Sequence, residues 1–109
     1  TLLLSDNKEI KNLNKKFRKK NKSTDVLSFP FQTKKELNNL LKKEKEIYLG
    51  DIIVNLNKIK IKNLKKFNSE FNRLWIHGLV HLFGHDHKKE RDFLKMDQME
   101  KKYLNLINA

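Results

Sequence analysis

The chain has no cysteine among its 109 residues. That excludes disulfides and thiolate zinc sites, and it fits a reducing compartment such as the cytoplasm. No apolar run reaches the roughly 20 residues of a membrane span. The opening Thr1-Leu2-Leu3-Leu4-Ser5 is too short for the apolar core of a signal peptide, and Asp6 follows at once. With one proline and three glycines there is no Gly/Pro-rich linker, and no internal repeat is visible, so a single domain is expected. Acidic residues are scarce: 13 against 25 Lys and Arg, a net charge of +12. Such a balance favours a polyanionic partner, nucleic acid or an anionic surface. Nearly all of the charge is lysine, however, with arginine only at Arg18, Arg73 and Arg91. Abundant Lys and Asn also suit ordinary solvated faces, so charge alone leaves nucleic-acid binding open.

What the chain does have is a cluster. All four histidines fall between His77 and His87. Three fit the spacing H-x-x-x-H-x-x-G-x-x-H through His77, His81, Gly84 and His87. On a helix, residues i and i+4 lie about 5–6 Å apart on one face, so His77 and His81 can address one ion. Gly84 can turn the chain back in a left-handed conformation. His87 can then supply a third ligand from the other side. Three histidines leave the fourth position of a tetrahedral zinc open, which is the catalytic arrangement. Zinc peptidases with this spacing read H-E-x-x-H, the glutamate being the base; here that position is Gly78. The departure argues against proteolysis, though not against hydrolysis.

The flanking pattern predicts a small α/β (α+β) domain, a mixed β-sheet with helices packed on it and a zincin-like three-histidine metal site. Leu2–Leu4 reads as a strand. Asp6 and Glu9 form a capping box for an amphipathic helix over 7–20, with Ile10, Leu13 and Phe17 on one face. Val26–Phe31 reads as a strand that ends at Pro30 or lies at an edge. Residues 32–46 suggest a short surface helix through Leu37, Leu40 and Leu41. Ile47–Val54 reads as a third strand interrupted by Gly50 and Asp51. A helix is expected over 56–66 through Leu56, Ile59 and Leu64. The histidine-bearing helix is expected over 69–83, with Phe71, Leu74, Trp75, Leu79 and Leu82 as core. A last helix is expected over 88–107, burying Phe93, Met96, Tyr103, Leu104 and Ile107.

Several residues near the cluster have two readings each. Glu70, two turns before His77, could orient a ligand or a water, or complement the helix dipole. Asp86 could accept the second N–H of a ligand imidazole, or bond its own turn backbone. Asp51 needs a partner if buried and is a further orienting candidate. His85 is either exposed on the turn or a fourth ligand that would close the metal. Arg18 is either a cation at a helix C-terminus or a bidentate phosphate clamp.

Four blocks carry a resemblance to a known family: Leu13-Asn14-Lys15-Lys16-Phe17-Arg18, Thr24-Asp25-Val26-Leu27-Ser28-Phe29-Pro30-Phe31, Leu49-Gly50-Asp51-Ile52, and the run from His77 to His87, which fits H-G-x-x-H-x-x-G-x-D-H. In this order they resemble the YbeY family of bacterial rRNA maturation factors, zinc-dependent endoribonucleases. The glycine after the first ligand is the family's normal residue, whereas His85 stands where the family usually has tyrosine. The resemblance implies one zinc ion on His77, His81 and His87. It implies Arg18 and His77 as catalytic residues, with Arg18 also binding substrate. It also implies endonucleolytic cleavage of single-stranded RNA in rRNA maturation, notably at the small-subunit rRNA 3′ end, and ribosome quality control in the cytoplasm. The implied partners are rRNA, ribosomal subunits and ribosome-associated proteins. It covers residues 1–109 as a single metal-binding domain, and family members usually also carry a strand and a helix ahead of the segment that begins at Thr1. Two alternatives remain: a non-catalytic ribosome- or RNA-binding factor with a structural metal, and an atypical zinc peptidase.

Overall fold

The structure, a computed structural model, describes residues 1–43, 46–60, 63–85 and 90–108. The elements run β1 (Leu2–Ser5), α1 (Asn7–Arg18), β2 (Val26–Pro30), α2 (Lys34–Lys43), β3 (Gly50–Asn55), α3 (Leu64–Leu82) and α4 (Glu90–Asn108), with a short 3-10 turn at Leu56–Lys58. The strands form one sheet in the order β1-β3-β2. β1 runs parallel to β3, with Leu3 opposite Ile53. β2 runs antiparallel to it, with Leu27 opposite Ile53 and Ser28 opposite Ile52. The domain is therefore α+β with a mixed three-stranded sheet.

Central position explains the sequence of β3. A strand with neighbours on both sides and helices on both faces must be apolar on both, and Ile52, Ile53 and Val54 are all buried. Alternation sends them opposite ways. Ile53 joins Ile10 of α1 and Leu27 on one face. Ile52 and Val54 join Leu74 and Leu82 of α3 on the other. α4 packs on α3 from the side away from the sheet, where Met96 meets Ile76 and Val80. Among the described residues no helix is long and apolar enough to cross a membrane.

Side-chain caps set the helix ends. Asp6 Oδ1 accepts from the Glu9 N–H at 2.9 Å, as the box pattern requires, while the Glu9 carboxylate takes the Ser5 hydroxyl at 2.5 Å. α1 stops at Arg18, short of residue 20, because Lys19 turns left-handed (φ 57°) and the buried Asn14 side chain donates to the Lys22 carbonyl at 2.9 Å. Thr33 Oγ1 caps α2 by accepting from the Glu36 N–H at 3.2 Å and donates to the Glu36 carboxylate at 3.0 Å.

Four expectations change. β3 begins at Gly50 rather than at Ile47, so the glycine opens the strand instead of interrupting it. Its φ is +137°, and a Cβ there would collide with the Phe29 carbonyl. Of the helix expected over 56–66, residues 56–58 form the 3-10 turn, for the Asn55 side chain accepts from the Asn57 N–H at 3.0 Å and Ile59 is extended; residues 61 and 62 lie outside the described residues, and 64–66 open α3. Asparagine side chains that bond local backbone compete with helix. Leu56 and Ile59 plug the core while Leu64 is exposed. Asn63 then caps α3, which starts earlier than position 69. In α4 the stretch from Met96 to Leu104 packs on α3, with Met99 taking part. Phe93 and Ile107 lie at its ends, outside that stretch, and are exposed. Residues 88 and 89 lie outside the described residues.

Candidate functional site

The site begins with a close approach of helix to sheet. Gly78 faces β2 and β3: a Cβ at this position would sit 2.7 Å from Ile52 Cγ2 and 3.0 Å from Ser28 Oγ. The buried Ser28 hydroxyl donates to the Gly78 carbonyl at 3.0 Å. A glycine lets the helix backbone come this near. The position that carries a glutamate in zinc peptidases is therefore turned into the sheet.

His77 and His81 instead line a cleft of about 680 Å³. Thr24, Asp25, Val26 and Ser28 contribute from β2 and the loop before it, Arg18 from the end of α1 and Lys20 from just beyond it, and Gly84 and His85 from the turn after α3. That turn is built as expected. Gly84 has φ +90°, its N–H bonds the His81 carbonyl at 2.9 Å, and the His85 N–H bonds the Val80 carbonyl at 3.3 Å. This is the paired bonding of a Schellman motif.

Both rings are held by Nδ1. His81 Nδ1 lies 2.9 Å from the His85 carbonyl oxygen, and His77 Nδ1 lies 2.5 Å from Glu100 Oε1 on α4. A carbonyl and a carboxylate accept, so Nδ1 donates in each ring and Nε2 presents its lone pair. The two Nε2 atoms are 3.2 Å apart. Two nitrogens bound ~2.0–2.1 Å from one tetrahedral ion stand about 3.3 Å apart, so the pair fits one metal. Among the described residues no third His, Asp or Glu completes a ligand group. His87 and Asp86 lie outside them. His85 is half-buried and lines the cleft, and it is its backbone carbonyl that holds His81.

Arg18 ends α1 at the rim of the cleft. Its Nη2 donates to the Ser28 carbonyl at 2.5 Å, and its guanidinium lies over the Phe29 ring at 5.6 Å. The loop beside it is pinned from below. The fully buried Asn55 shares its amide hydrogens among Asn7 Oδ1 (2.7 Å), Ser23 Oγ (3.1 Å) and the Thr24 carbonyl (3.0 Å). Its backbone N–H bonds the Asp25 carbonyl at 2.8 Å.

Two sequence candidates are occupied elsewhere and do not line the cleft. Glu70 pairs with Arg73, whose Nε lies 3.1 Å from Oε2. Hydrogen bonding from Arg73 holds the Glu70 carboxyl below its ordinary range, against a smaller opposing effect of burial. Asp51 is half-buried and accepts the Tyr48 hydroxyl. Sequence reading missed Glu100, Asp25, Ser28 and Lys20. Glu100 had one faint signal, a carboxylate four residues after Met96 and three before Tyr103 on the apolar face of α4.

Fold and cleft together define a small α+β domain that presents two converging imidazoles to a basic groove. Residues 1–108 match the family described as Endoribonuclease YbeY, and the chain belongs to the YbeY family. It is 48% identical over 103 residues to "Endoribonuclease YbeY" of Pelagibacter ubique, covering 92% of this chain and 63% of that protein. To the protein of the same name in Clostridium beijerinckii it is 36% identical over 124 residues, covering 99% of this chain and 74% of the relative. The solution structure of TM1509 from Thermotoga maritima superposes with a TM-score of 0.55 at 31% identity, over 94% of this chain and 63% of that one. The chain thus spans about 63% to 74% of the length of these curated relatives.

Proposed function

We propose that this chain carries the active site of a metal-dependent endoribonuclease acting on single-stranded RNA in rRNA maturation, notably at the small-subunit rRNA 3′ end, and in ribosome quality control. The observation that carries the reading is the pair of Nε2 atoms 3.2 Å apart in a cleft that also holds Arg18. The names of the relatives support the reaction class. His77, His81 and His87 would hold one zinc ion, which supplies Lewis acidity toward a phosphoryl oxygen when bound.

The protein's own groups do the rest. Cleaving a phosphodiester requires fixed positive charge where negative charge develops. Arg18 is held for this by Ser28 and Phe29, and bonds the Ser28 carbonyl through Nη2. A guanidinium grips phosphate bidentately, which a lysine cannot do. Single strands rather than duplex suit the rim. Phe17 is 59% exposed and packs edge-on against Phe29, whose ring lies under Arg18. Unpaired bases stack on such rings. The lysines give sequence-independent affinity that falls steeply with salt as counterions are released. A peptidase reading loses support at Gly78, since Ile52 occupies the space a glutamate would need.

The test is cleavage of single-stranded RNA by highly purified protein, with and without chelator. Arg18→Ala should slow cleavage roughly 10²–10³-fold while zinc content and fold persist. Arg18→Lys should also be impaired. His77→Ala should lose both zinc and activity. Cleavage at the wild-type rate in Arg18→Ala and His77→Ala together would refute the assignment. A protein that cleaves nothing yet binds ribosomal particles would be a non-catalytic factor.

A further inference from the structure

We infer that Glu100, on the last helix, is the positioning residue that fixes the ring of His77 for metal binding. The contact is direct: Oε1 stands 2.5 Å from Nδ1, across 23 residues of sequence. Both partners are largely withdrawn from solvent, with side chains 30% and 21% exposed for His77 and Glu100. Met96, one turn earlier on α4, is buried against Ile76 and Val80. Tyr103 and Leu104, about one turn later, pack on the same cluster, so the carboxylate is set between two packed turns of α4.

The chemistry follows from the two ring nitrogens. In water a neutral histidine carries its proton on either nitrogen. A carboxylate at Nδ1 selects the tautomer with the proton there, so that Nε2 is the ligating atom. It also fixes the rotation of the ring, which would otherwise be lost on binding. His81 obtains the same tautomer from the His85 carbonyl. Glu100 is thus the tertiary counterpart of a local backbone contact. The consequence for metal affinity rests on the metal reading proposed above; the tautomer assignment stands without it.

The experiment measures two things on the full chain. The first is the His77 tautomer in metal-free protein, from long-range nitrogen–proton NMR correlations. The second is zinc affinity by competition with a chelating dye. In the wild type both His77 and His81 should be protonated at Nδ1. Glu100→Ala should move His77 toward the Nε2–H form and leave His81 unchanged as an internal control. Zinc affinity should fall about 10–100-fold. Glu100→Gln keeps the shape and one acceptor oxygen, so it should retain the tautomer and recover part of the affinity. Glu100→Ala with wild-type affinity and His77 still protonated at Nδ1 would overturn the inference. A wild type that binds no zinc would overturn the metal reading instead, and the tautomer shift would still decide the role of Glu100. If Glu100→Ala fails to fold, Glu100→Gln decides: fully wild-type zinc affinity in a folded Glu100→Gln protein would also count against it.

Discussion

His77 and His81 sit one turn apart on α3, yet each is held by a different level of the structure. His81 is fixed locally. Its acceptor is the carbonyl of His85, four residues on, placed by the Gly84 turn. His77 is fixed at long range by Glu100 from α4. The first lock forms whenever the helix ends correctly. The second exists only when α4 docks on α3. One half of the site is therefore as robust as a turn, and the other half reports on tertiary packing.

Removing the imidazoles gives the largest effect. His77→Ala or His81→Ala should abolish tight zinc binding, whereas His85→Ala should leave it nearly intact, because the backbone carbonyl of residue 85 remains. Elemental analysis after dialysis checks this; stoichiometric zinc in His81→Ala would break the pairing. Next comes the contact that presses α3 onto the sheet. Gly78→Ala places a methyl group 2.7 Å from Ile52 Cγ2, so the Ile52 side chain or α3 must shift. Overpacking of this kind costs about 1–3 kcal/mol, and a domain of this size should lose roughly 4–8 °C of Tm for each kcal/mol. A melting curve matching the wild type would show that the helix has slack.

The same division governs what the sequence disclosed. Spacing decides whether two side chains on one helix converge, so the His77–His81 pair and the Gly84 turn were legible, as was the Asp6 cap. Pro30 announced an edge strand because it lacks a ladder donor, and β2 is an edge that ends there. Glu100, Asp25 and Ser28 were not legible, since nothing in local periodicity tells which distant residues a cleft will gather. Glu70 and Asp51 were singled out for proximity in sequence to the motifs, but Arg73 and Tyr48 lie nearer in space and engage them. The helix expected to start at Leu56 gives way to a 3-10 turn because apolar spacing ignores the Asn55 side chain's hold on its own turn.

A smaller effect separates the two locks directly. Gly84→Ala puts a side chain at φ +90°, a conformation that costs an L-residue roughly 1–2 kcal/mol. The turn should loosen and the His85 carbonyl should drift from His81. NMR should then show the His81 tautomer becoming mixed while His77, held by Glu100, keeps its Nδ1 proton. Equal disturbance of both rings would mean that the two halves of the site are not independent.

The smallest effect is expected at Glu70, whose position before His77 invites an orienting role. In the structure its carboxylate belongs to Arg73, three residues along α3. Glu70→Gln should therefore leave zinc affinity and both tautomers at wild-type values. Its consequence is a slight loss of stability with a defined pH dependence. Arg73 lowers the folded-state pKa of Glu70, so the pair stabilises the fold fully above the unfolded carboxyl's pKa of about 4.3. That contribution disappears as pH falls through the depressed folded value. Both side chains are partly exposed, and such an i,i+3 pair contributes only about 0.3–0.5 kcal/mol. Denaturant midpoints for wild type and Glu70→Gln should differ slightly at pH 7, less in high salt, and converge as the carboxyl is protonated. A fall in zinc affinity beyond twofold in Glu70→Gln would place this carboxylate in the metal site after all, and would mean that His77 has a second support on its own helix.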